Sequence, residues 1–253
     1  MTVIKCKNLT KRFGNKEAVK GLDLAIETGI IYGFLGTNGA GKTATIKMLT
    51  GQVPITSGEA EILGMNVKTD EIKIKSQIGI VPDEPKIYPF FTGYEFIEFI
   101  LDVFNKNDKE TRTNYDELCH AFDVDFLHTP IAEMSHGMKQ KVMVISVLMR
   151  KPEVIFLDEP TVGLDARSSK ILKDLLRKMA NNGATIFLTT HVLEIAQKMC
   201  DKIGILDDGK LLAEGTMEEL RKRVKMDDTT SLEDLFLDLT GQSDDVLKIV
   251  EAL

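Results

Sequence analysis

Apolar and polar positions along this chain form short strand patterns that alternate with helical patterns. Residues 3–8 and 22–27 alternate apolar and polar side chains, which is typical of strands with one buried face. Residues 30–35 are a continuous apolar run that ends at Gly36, which indicates a strand buried on both faces. Further strand patterns lie at residues 78–81, 154–157, 184–189, 203–206 and 211–213. Strands separated by helical segments predict an α/β domain with a mainly parallel sheet.

Helical spacing of apolar residues fills most of the intervals between these strands. The helical patterns cover residues 40–49, 94–104, 111–122, 138–150, 168–179, 193–199 and 232–239. The patterns at 94–104, 111–122 and 138–150 follow one another with no strand pattern between them. Pro152 ends the pattern at 138–150. We therefore predict an α/β core of residues 1–83 and 153–220, interrupted by a helical insert at 84–152. The segment 221–253, charged and then helical, is predicted to be a C-terminal appendage.

The composition of the 253 residues is that of an ordinary folded chain, with 43% hydrophobic and 28% charged residues. Acidic residues outnumber Lys and Arg by 39 to 32, so the net charge is −7. Such a chain is a poor candidate for bulk binding to nucleic acid, and no nucleic-acid partner is expected. The three cysteines have no metal-type spacing and suit a reducing, cytosolic compartment. We find no signal peptide and no apolar run of the ~18–20 residues that cross a bilayer. If this protein acts at a membrane, another protein must span it.

The segment after the first buried strand carries a nucleotide-binding motif. Gly36 to Thr43 reads G-T-N-G-A-G-K-T and fits G-x-x-x-x-G-K-[ST] at each fixed position. The glycines let backbone N–H groups wrap phosphate oxygens, and the N-terminus of the following helix favours an anion. Lys42 would supply positive charge to the terminal phosphates, and the Thr43 hydroxyl is a suitable Mg²⁺ ligand. The candidate nucleotide-binding residues of this loop are Asn38, Gly39, Ala40, Gly41, Lys42, Thr43 and Ala44. A chance glycine-rich turn is the alternative, and the strand and helix patterns on either side argue against it.

Two carboxylates follow the buried strand pattern at residues 154–157, in the sequence V-I-F-L-D-E. The carboxyl ends of parallel strands form the edge where ligands bind in open α/β sheets. Asp158 would hold Mg²⁺ through water, and Glu159 would be the base that polarises an attacking water. The alternative is a strand that simply ends in a charged turn. The phosphate-binding motif favours the functional interpretation.

Residues 134–141 read M-S-H-G-M-K-Q-K, shortly upstream of the acidic strand. With this segment and the two preceding motifs, the sequence resembles the ATP-binding cassette (ABC) family. The signature of that family is L-S-G-G-Q. Ser135 and Gly137 match that signature, whereas three neighbouring positions depart from it. The resemblance covers about residues 2–220 and looks like the exporter branch, in which ATPase and permease are separate chains. It implies the ABC ATPase architecture: a P-loop NTPase α/β core with a mainly parallel sheet, an antiparallel β subdomain and the helical insert.

The resemblance also implies roles for single residues. Phe13 matches the aromatic residue that stacks on adenine, although a lone phenylalanine is more often a core residue. Asp165, in G-L-D, matches the turn that reaches across a dimer. His191, in T-T-H, matches the switch histidine near the γ-phosphate, although a lone histidine is more often structural. The expected catalytic residues are Glu159, His191 and Lys42.

Two positions of the expected site differ from the family pattern. Asp83 stands where the family usually has a glutamine; it is shorter and charged, and it can still coordinate Mg²⁺. Ala44 stands where the family usually has a second hydroxyl, so we expect a modest loss of nucleotide affinity. The expected metal ligands are therefore Thr43, Asp158 and Asp83, and the expected cofactors are ATP and Mg²⁺.

The resemblance implies an ATP-binding and ATP-hydrolysing subunit of an ABC exporter that drives a separate polytopic membrane permease. Two ATPase subunits would sandwich two ATP molecules head to tail, with Ser135 and Gly137 completing the site of the other subunit. The second subunit would be a copy of this chain or a paralogue. The protein would lie at the cytoplasmic face of the membrane, held there by the permease.

Aromatic residues are concentrated in the predicted insert. They are Phe90, Phe91, Tyr94, Phe96, Phe99 and Phe104. Most are expected in the core, but the resemblance implies a groove here for a short helix of the permease, so some are expected to be exposed. The basic run that follows the core is expected to be a solvated helix face. Its members are Arg221, Lys222, Arg223 and Lys225.

Two other functions stay open on sequence evidence. The first is a soluble ABC-type regulatory ATPase without a transport role. The second is a nucleotide-binding scaffold that no longer hydrolyses ATP, which Asp83, Ala44 and His136 suggest because each departs from the family pattern. The presence of both Glu159 and His191 favours a catalytically competent site.

Overall fold

The computed structural model of this chain describes residues 1–224, 227 and 230–241. Its centre is a six-stranded sheet in the order β10-β9-β3-β8-β7-β6. The strands are β3 (Ile31–Gly36), β6 (Ile78–Val81), β7 (Val154–Asp158), β8 (Thr185–Thr189), β9 (Lys202–Asp207) and β10 (Lys210–Gly215). The strands from β9 to β6 pair in parallel, and β10 joins β9 as an antiparallel hairpin. The side chains of β3, β7 and β8 are all buried, which explains why their sequences do not alternate.

A second sheet of four antiparallel strands has the order β2-β1-β4-β5. Its strands are β1 (Thr2–Phe13), β2 (Lys16–Glu27), β4 (Ser57–Ile62) and β5 (Met65–Asn66). The sequence gives no strand pattern for β4 because only Ala60 and Ile62 are buried there, and two apolar positions do not establish a period. The outer part of β1 was also missed, because Lys11 is buried with its ammonium group donating to Pro54 O at 2.6 Å. The expected antiparallel subdomain is confirmed.

Helices connect the strands and pack on both faces of the central sheet. They are α1 (Lys42–Leu49), α2 (Glu71–Gln77), α3 (Gly93–Val103), α4 (Lys109–Ala121), α5 (His136–Leu148), α6 (Ala166–Asn181), α7 (Leu193–Met199), α8 (Met217–Arg223) and α9 (Leu232–Leu239). Helix α2 was not predicted, because Ile74 is its one buried residue and a single apolar position sets no helical period. The other helices coincide with the predicted patterns to within a few residues. Helix α8 includes the start of the basic run that was predicted to be a solvated helix face, and Lys222 and Arg223 are exposed there.

Alternate residues of the central strands belong to two different hydrophobic clusters. Phe156 and Phe187 face the cluster that contains α1 and the antiparallel sheet. Ile155 and Ile186 face the cluster that contains α6 and the helical insert. The insert therefore shares its core with one face of the central sheet, which fixes the direction in which α5 approaches β7.

Side-chain caps set the starts of the three insert helices. Thr92 and Asp108 cap α3 and α4, and Ser135 accepts a hydrogen bond from the backbone N–H of Met138 to cap α5. Helix α5 thus begins at His136, two residues before the predicted start. The three helices occupy the predicted insert, and its boundaries at 84 and 152 stay a prediction.

The expectation that most insert aromatics are core residues is wrong. Phe96 is buried, but Phe90 is 93% exposed, and Tyr94 and Phe99 are also classed as exposed. Helix α3 is amphipathic and buries one stripe, so its other face carries aromatic rings to the surface. We call Tyr88, Phe90, Phe91 and Phe99 the exposed aromatic patch. The ring of Tyr88 lies 5.4 Å from that of Phe91 and 6.0 Å from that of Phe99, and Phe90 directly precedes Phe91.

The segment beyond the core folds back onto it. Helices α8 and α9 pack against α7 and β9–β10 through a third cluster that includes Leu220, Leu232 and Leu235. The predicted boundary at residue 221 lies inside α8. Arg221 uses its Nε atom to bond Thr230 O at 2.9 Å. Lys225 and residues 242–253 of the predicted appendage lie outside the described residues.

Candidate active site

The loop of residues 36–43 connects β3 to α1 and follows the expected phosphate-binding pattern. Gly41 is the N-cap of α1 with φ 111°, a conformation that other residues rarely adopt, and a Cβ here would lie 2.4 Å from Ala18 O. Because this N-cap has no side chain, the first N–H groups of α1 receive no side-chain cap and are available to an anion. Asn38 and Gly39 are exposed at the outer end of the loop.

Lys42 lies folded into this loop and is 8% exposed. Its Nζ atom donates to Gly36 O at 2.6 Å and to Thr37 O at 3.0 Å. Burial lowers the pKa of Lys42 below its ordinary value, whereas the charges of Glu159 and Asp158 act in the opposite direction. The ammonium group is therefore within electrostatic reach of both carboxylates at the end of β7.

The two alanines of the motif contribute backbone rather than side-chain polarity. Ala40 is buried, and its carbonyl accepts a hydrogen bond of 2.9 Å from the Gly209 amide. Ala44 is half-buried against the cluster formed with the antiparallel sheet. A hydrogen bond from either alanine to a nucleotide would have to come from the backbone N–H group, which in Ala40 donates to Thr37 O at 3.1 Å.

Asp158 is the point where the phosphate loop meets the central strands. It is 7% exposed, and its Oδ2 accepts a hydrogen bond of 2.9 Å from the Thr43 hydroxyl. Its Oδ1 accepts a short hydrogen bond from the hydroxyl of Thr189, at the end of the neighbouring strand β8. Sequence reasoning missed Thr189, whose only local signal is its place before T-H. The two threonines hold the Asp158 carboxylate in one orientation.

Glu159 and His191 contact each other at the same edge of the sheet. His191 Nδ1 lies 2.9 Å from Glu159 Oε1, and the side chains are 61% and 13% exposed respectively. Glu159 Oε2 is buried without a hydrogen-bond partner. Glu159 also has φ 49°, in the left-handed region, which is costly for a residue with a side chain and recurs at functional sites. One oxygen of the Glu159 carboxylate thus contacts His191 and the other has no hydrogen-bond partner. Such a carboxylate can accept a proton from water.

Asp83 lies at this edge of the sheet, beyond the end of β6. The register Val81↔Leu157 places Asp83 and Glu159 each two residues beyond the paired ends of parallel strands. The Asp83 side chain is exposed. Among the described residues, no three His, Cys, Asp or Glu side chains are grouped to hold a metal ion.

Thr43 and Asp158 nevertheless suit a magnesium site. They bring a hydroxyl and a carboxylate oxygen to within 2.9 Å of each other at the mouth of the phosphate loop. Mg²⁺ prefers oxygen ligands and is commonly held by one or two carboxylates together with waters and substrate phosphates. The donor set therefore fits the metal that the sequence implies.

The signature residues form a second group, on the helical insert. Ser135 is exposed as the N-cap of α5. Gly137 packs so closely on the loop after Glu159 that a Cβ would lie 2.5 Å from Gly163 O. Asp165 caps α6 by accepting from the Ser168 N–H at 2.7 Å, and its Oδ2 lies 3.2 Å from Lys141 Nζ.

Charge at Asp165 is stabilised by these contacts. Hydrogen bonds from the Ser168 amide and hydroxyl, then the Lys141 ammonium group, hold the pKa of Asp165 well below its ordinary range. The carboxylate expected to reach across a dimer is thus already engaged within its own chain. It reaches solvent on one side, since its side chain is 56% exposed.

Phe13 lies at the end of β1, next to the hairpin that leads into β2. Its ring is 49% exposed, and Lys11 Nζ lies 4.7 Å from the ring centroid. Further along β2, Lys20 donates from its amide to Gly209 O, which ties this sheet to the phosphate loop through Ala40. Phe13 is therefore a surface ring, and the alternative of a core phenylalanine is wrong.

Comparison with known proteins decides the family. A family model described as ABC transporter matches residues 19–162. The linearmycin resistance ATP-binding protein LnrL of Bacillus subtilis (strain 168) is 34% identical over 223 residues, which cover 88% of this chain and 72% of the relative. The chain belongs to the ABC transporter family.

Two solved structures of ABC ATP-binding subunits share this fold. An ATP-binding subunit of an ABC transporter matches 94% of this chain and 99% of its own, with a TM-score of 0.90 and 27% identity. A dimeric ATP-binding cassette in a post-hydrolysis state, bound to ADP and Pi, matches 85% of this chain and 98% of its own, with a TM-score of 0.77 and 25% identity. The ABC ATPase architecture expected from the sequence is confirmed.

Family membership establishes the activity of this ABC subunit. It binds and hydrolyses ATP as the ATPase of an ABC transporter and drives a separate membrane permease. ABC ATP-binding subunits dimerise and work with such permeases, so its function is associated with a membrane. Within the part of the chain that the structure describes, no helix has the length and apolar character of a membrane span.

Proposed function

We propose that this ABC ATPase powers an exporter, with Glu159 as the base that activates water and His191 as the residue that orients it. The contact of 2.9 Å between His191 Nδ1 and Glu159 Oε1 carries this assignment. It lies at the carboxyl end of the parallel strands, beside Asp158 and within electrostatic reach of Lys42. A scaffold without hydrolysis does not agree with the ATP hydrolysis that family membership establishes.

The residues of the phosphate loop would bind the triphosphate. Backbone N–H groups from Asn38 to Ala44 would wrap phosphate oxygens, and Lys42 would exchange its bonds to loop carbonyls for bonds to the terminal phosphates. Phe13 would stack on adenine, since its ring is accessible at the surface. None of these contacts depends on the Ala44 side chain.

Thr43 and Asp158 would hold Mg²⁺, with Asp83 as a further ligand from the neighbouring strand. The metal would neutralise charge on the phosphate oxygens when bound. Thr43 and Asp158 would thereby help to keep the phosphates in one position. Glu159 would take the proton of the attacking water. Thr189 supports this arrangement, because its hydroxyl fixes the second oxygen of Asp158.

A second ATPase subunit would complete the site. Ser135 and Gly137 lie at the N-terminus of α5, where backbone N–H groups favour an anion, and they would contact the ATP of the other subunit. The exposed part of the Asp165 side chain would point toward the second subunit. The second subunit is proposed to be a copy of this chain or a paralogue.

The exposed aromatic patch would contact the permease at the cytoplasmic face of the membrane. Its rings at Tyr88, Phe90 and Phe99 are exposed within the predicted insert, and exposed aromatic rings are common anchors at interfaces. The Bacillus subtilis relative is named for resistance to linearmycin, and resistance of that kind fits outward transport. We assign no cargo to this chain.

Replacement of Glu159 tests the assignment of the base. The variant Glu159→Gln is expected to bind ATP, to hydrolyse it at least on the order of 10²-fold more slowly, and to accumulate as an ATP-bound dimer. Steady-state phosphate release and size-exclusion chromatography with ATP and Mg²⁺ measure these properties. The control is Glu153→Gln, an exposed carboxylate just before β7. Turnover equal to wild type in Glu159→Gln would remove Glu159 as the base.

Co-purification from solubilised membranes tests the exporter assignment separately. A polytopic membrane protein in stoichiometric amount supports it. Recovery of this chain alone, even as the ATP-bound Glu159→Gln dimer, would favour a soluble regulatory ATPase.

A further inference from the structure

A glutamine of the signature helix is fully buried against the loop that follows Glu159. Gln140, in the second turn of α5, is 0% exposed, and its Nε2 atom donates a hydrogen bond of 3.2 Å to Pro160 O. Its Oε1 atom is buried without a hydrogen-bond partner. Because the Pro160 carbonyl can only accept, the orientation of the Gln140 amide follows from this contact.

The backbone around Pro160 is where the direction of Glu159 is set. Glu159 has φ 49°, so its side chain leaves the strand in a direction that ordinary extended backbone would not give. Its amide donates to Thr189 O at 3.1 Å, and its carbonyl accepts from Val162 N at 3.1 Å. The hydrogen bond from Gln140 to Pro160 O adds a third restraint, on the carbonyl of the residue that follows Glu159. Unfavourable backbone conformations persist only where the surroundings determine them in this way.

The rest of the α5 N-terminus packs on the same loop. A Cβ on Gly137 would lie 2.5 Å from Gly163 O. A Cβ on Gly163 would lie 2.2 Å from the His136 ring. Lys141, next to Gln140, lies 3.2 Å from Asp165. The loop from Glu159 to Asp165 is therefore seated against α5 along its length, with the Gln140 amide nearest to the glutamate.

Stability by itself does not account for an amide at this position. A buried carbonyl oxygen without a partner destabilises the folded state, and an apolar side chain of similar length would remove that defect. The same replacement would also remove the hydrogen bond to Pro160, which would lower the stability of the folded state. The two effects on stability therefore offset each other. The specific consequence of the amide is control of the Pro160 carbonyl.

We propose that Gln140 is a positioning residue for ATP hydrolysis. By holding the Pro160 carbonyl, it keeps the backbone turn that directs the Glu159 carboxylate toward His191. This inference rests on the proposed role of Glu159 as the base. Gln140 does not contact the reacting atoms, so its loss should lower the rate of the chemical step and leave the binding of ATP intact.

The test uses the full chain with Gln140→Met, and with Gln140→Leu as a second apolar replacement. Phosphate release is measured against ATP concentration, and thermal unfolding is followed on the same samples. We expect kcat to fall on the order of ten-fold or more, because small displacements of catalytic groups have effects of this size. We expect KM within about two-fold of wild type and an unchanged unfolding midpoint. Ser146→Ala is the control, since Ser146 is buried on the same helix and its hydroxyl donates to Met143 O of that helix.

Each other outcome overturns the proposal in a recognisable way. Wild-type kcat in a folded Gln140 variant, or a fall in stability that parallels the fall in kcat, shows a purely structural residue. Failure of both variants to fold has the same meaning, because the proposal requires the folded state to tolerate the change. If Glu159→Gln keeps its turnover, the assignment of the base fails; if it does not and Gln140→Met is fully active, only this inference fails.

Discussion

The Thr43 hydroxyl donates a hydrogen bond of 2.9 Å to Asp158 Oδ2, across 115 positions of sequence. It joins the first turn of α1 to the end of β7, the two elements that carry the phosphate loop and the acidic pair. Because Thr189 restrains the other oxygen of Asp158, the carboxylate has little freedom to rotate. The proposed magnesium ligands are thus oriented before a nucleotide binds.

Removal of the Thr43 hydroxyl should weaken the response of this ATPase to Mg²⁺. Thr43→Val keeps the shape of the side chain but loses a ligand, so we expect turnover to fall on the order of ten-fold or more, with a higher Mg²⁺ requirement. Thr43→Ser keeps the hydroxyl and should stay close to wild type. Phosphate release and Mg²⁺-dependent nucleotide binding are both measured over a magnesium titration. An unchanged magnesium requirement in Thr43→Val would exclude Thr43 as a ligand.

Loss of the His191 imidazole should lower the rate of hydrolysis while ATP binding persists. In His191→Ala, Glu159 loses the one hydrogen-bond or ion-pair partner that its carboxylate has among the described residues, so we expect kcat to fall by about 10²-fold or more. Single-turnover hydrolysis and a nucleotide-binding assay separate the two steps. His120→Ala, an exposed histidine in the last turn of α4, is the control. A parallel loss of ATP binding would contradict the proposed role.

Asp201 is expected to contribute to the stability of the central sheet. Its carboxylate accepts from the Ile31 amide at 2.7 Å and from Arg177 at 2.9 Å. Asp201→Ala leaves the Ile31 amide without its acceptor, so we expect a loss of about 1–3 kcal/mol in the free energy of unfolding. Asp201→Asn keeps an acceptor and should lose less, because the ion pair is partly exposed and screened by water. Urea unfolding measures both, and equal losses would show that the charge, not the amide bond, dominates.

Stability should depend on pH through Asp165. Its pKa is lowered in the folded chain, so the carboxylate stabilises the folded state above its ordinary unfolded pKa of about 3.9. That contribution is lost as pH falls below this value toward the folded pKa. The difference in unfolding free energy between wild type and Asp165→Ala should therefore shrink from about pH 6 to about pH 3. Asp165→Asn, a neutral helix cap, should show a smaller change relative to Asp165→Ala over this range.

The exposed aromatic patch should be needed for binding to the permease and not for folding. Phe90→Ser removes the most exposed ring of the patch, so we expect reduced co-purification of a membrane protein and unchanged ATPase activity of the isolated subunit. Ile72→Ser, at another exposed apolar residue on α2, is the control. Equal co-purification in Phe90→Ser and wild type would place the interface elsewhere.

Much of the fold was predictable because its signals are local. The buried run before Gly36 and the helical spacing after it predicted β3, the phosphate loop and α1. By contrast, β4 has too few buried residues to show a period. The exposure of Phe90 and Phe99 was not predictable either, since an aromatic residue is apolar whether a neighbour covers it or not.

The order of residues by itself determined the motifs: a glycine-rich turn between strand and helix, two carboxylates at a strand end, and a capped signature helix. Each depends on neighbours along the chain. Only the tertiary structure decided which distant groups meet. Thr189 fixes Asp158, Gln140 holds Pro160, and Glu159 takes φ 49° to contact His191. Such contacts depend on strand order and on the seating of the helical insert, and a one-dimensional pattern carries no record of distances between elements that are far apart in the chain.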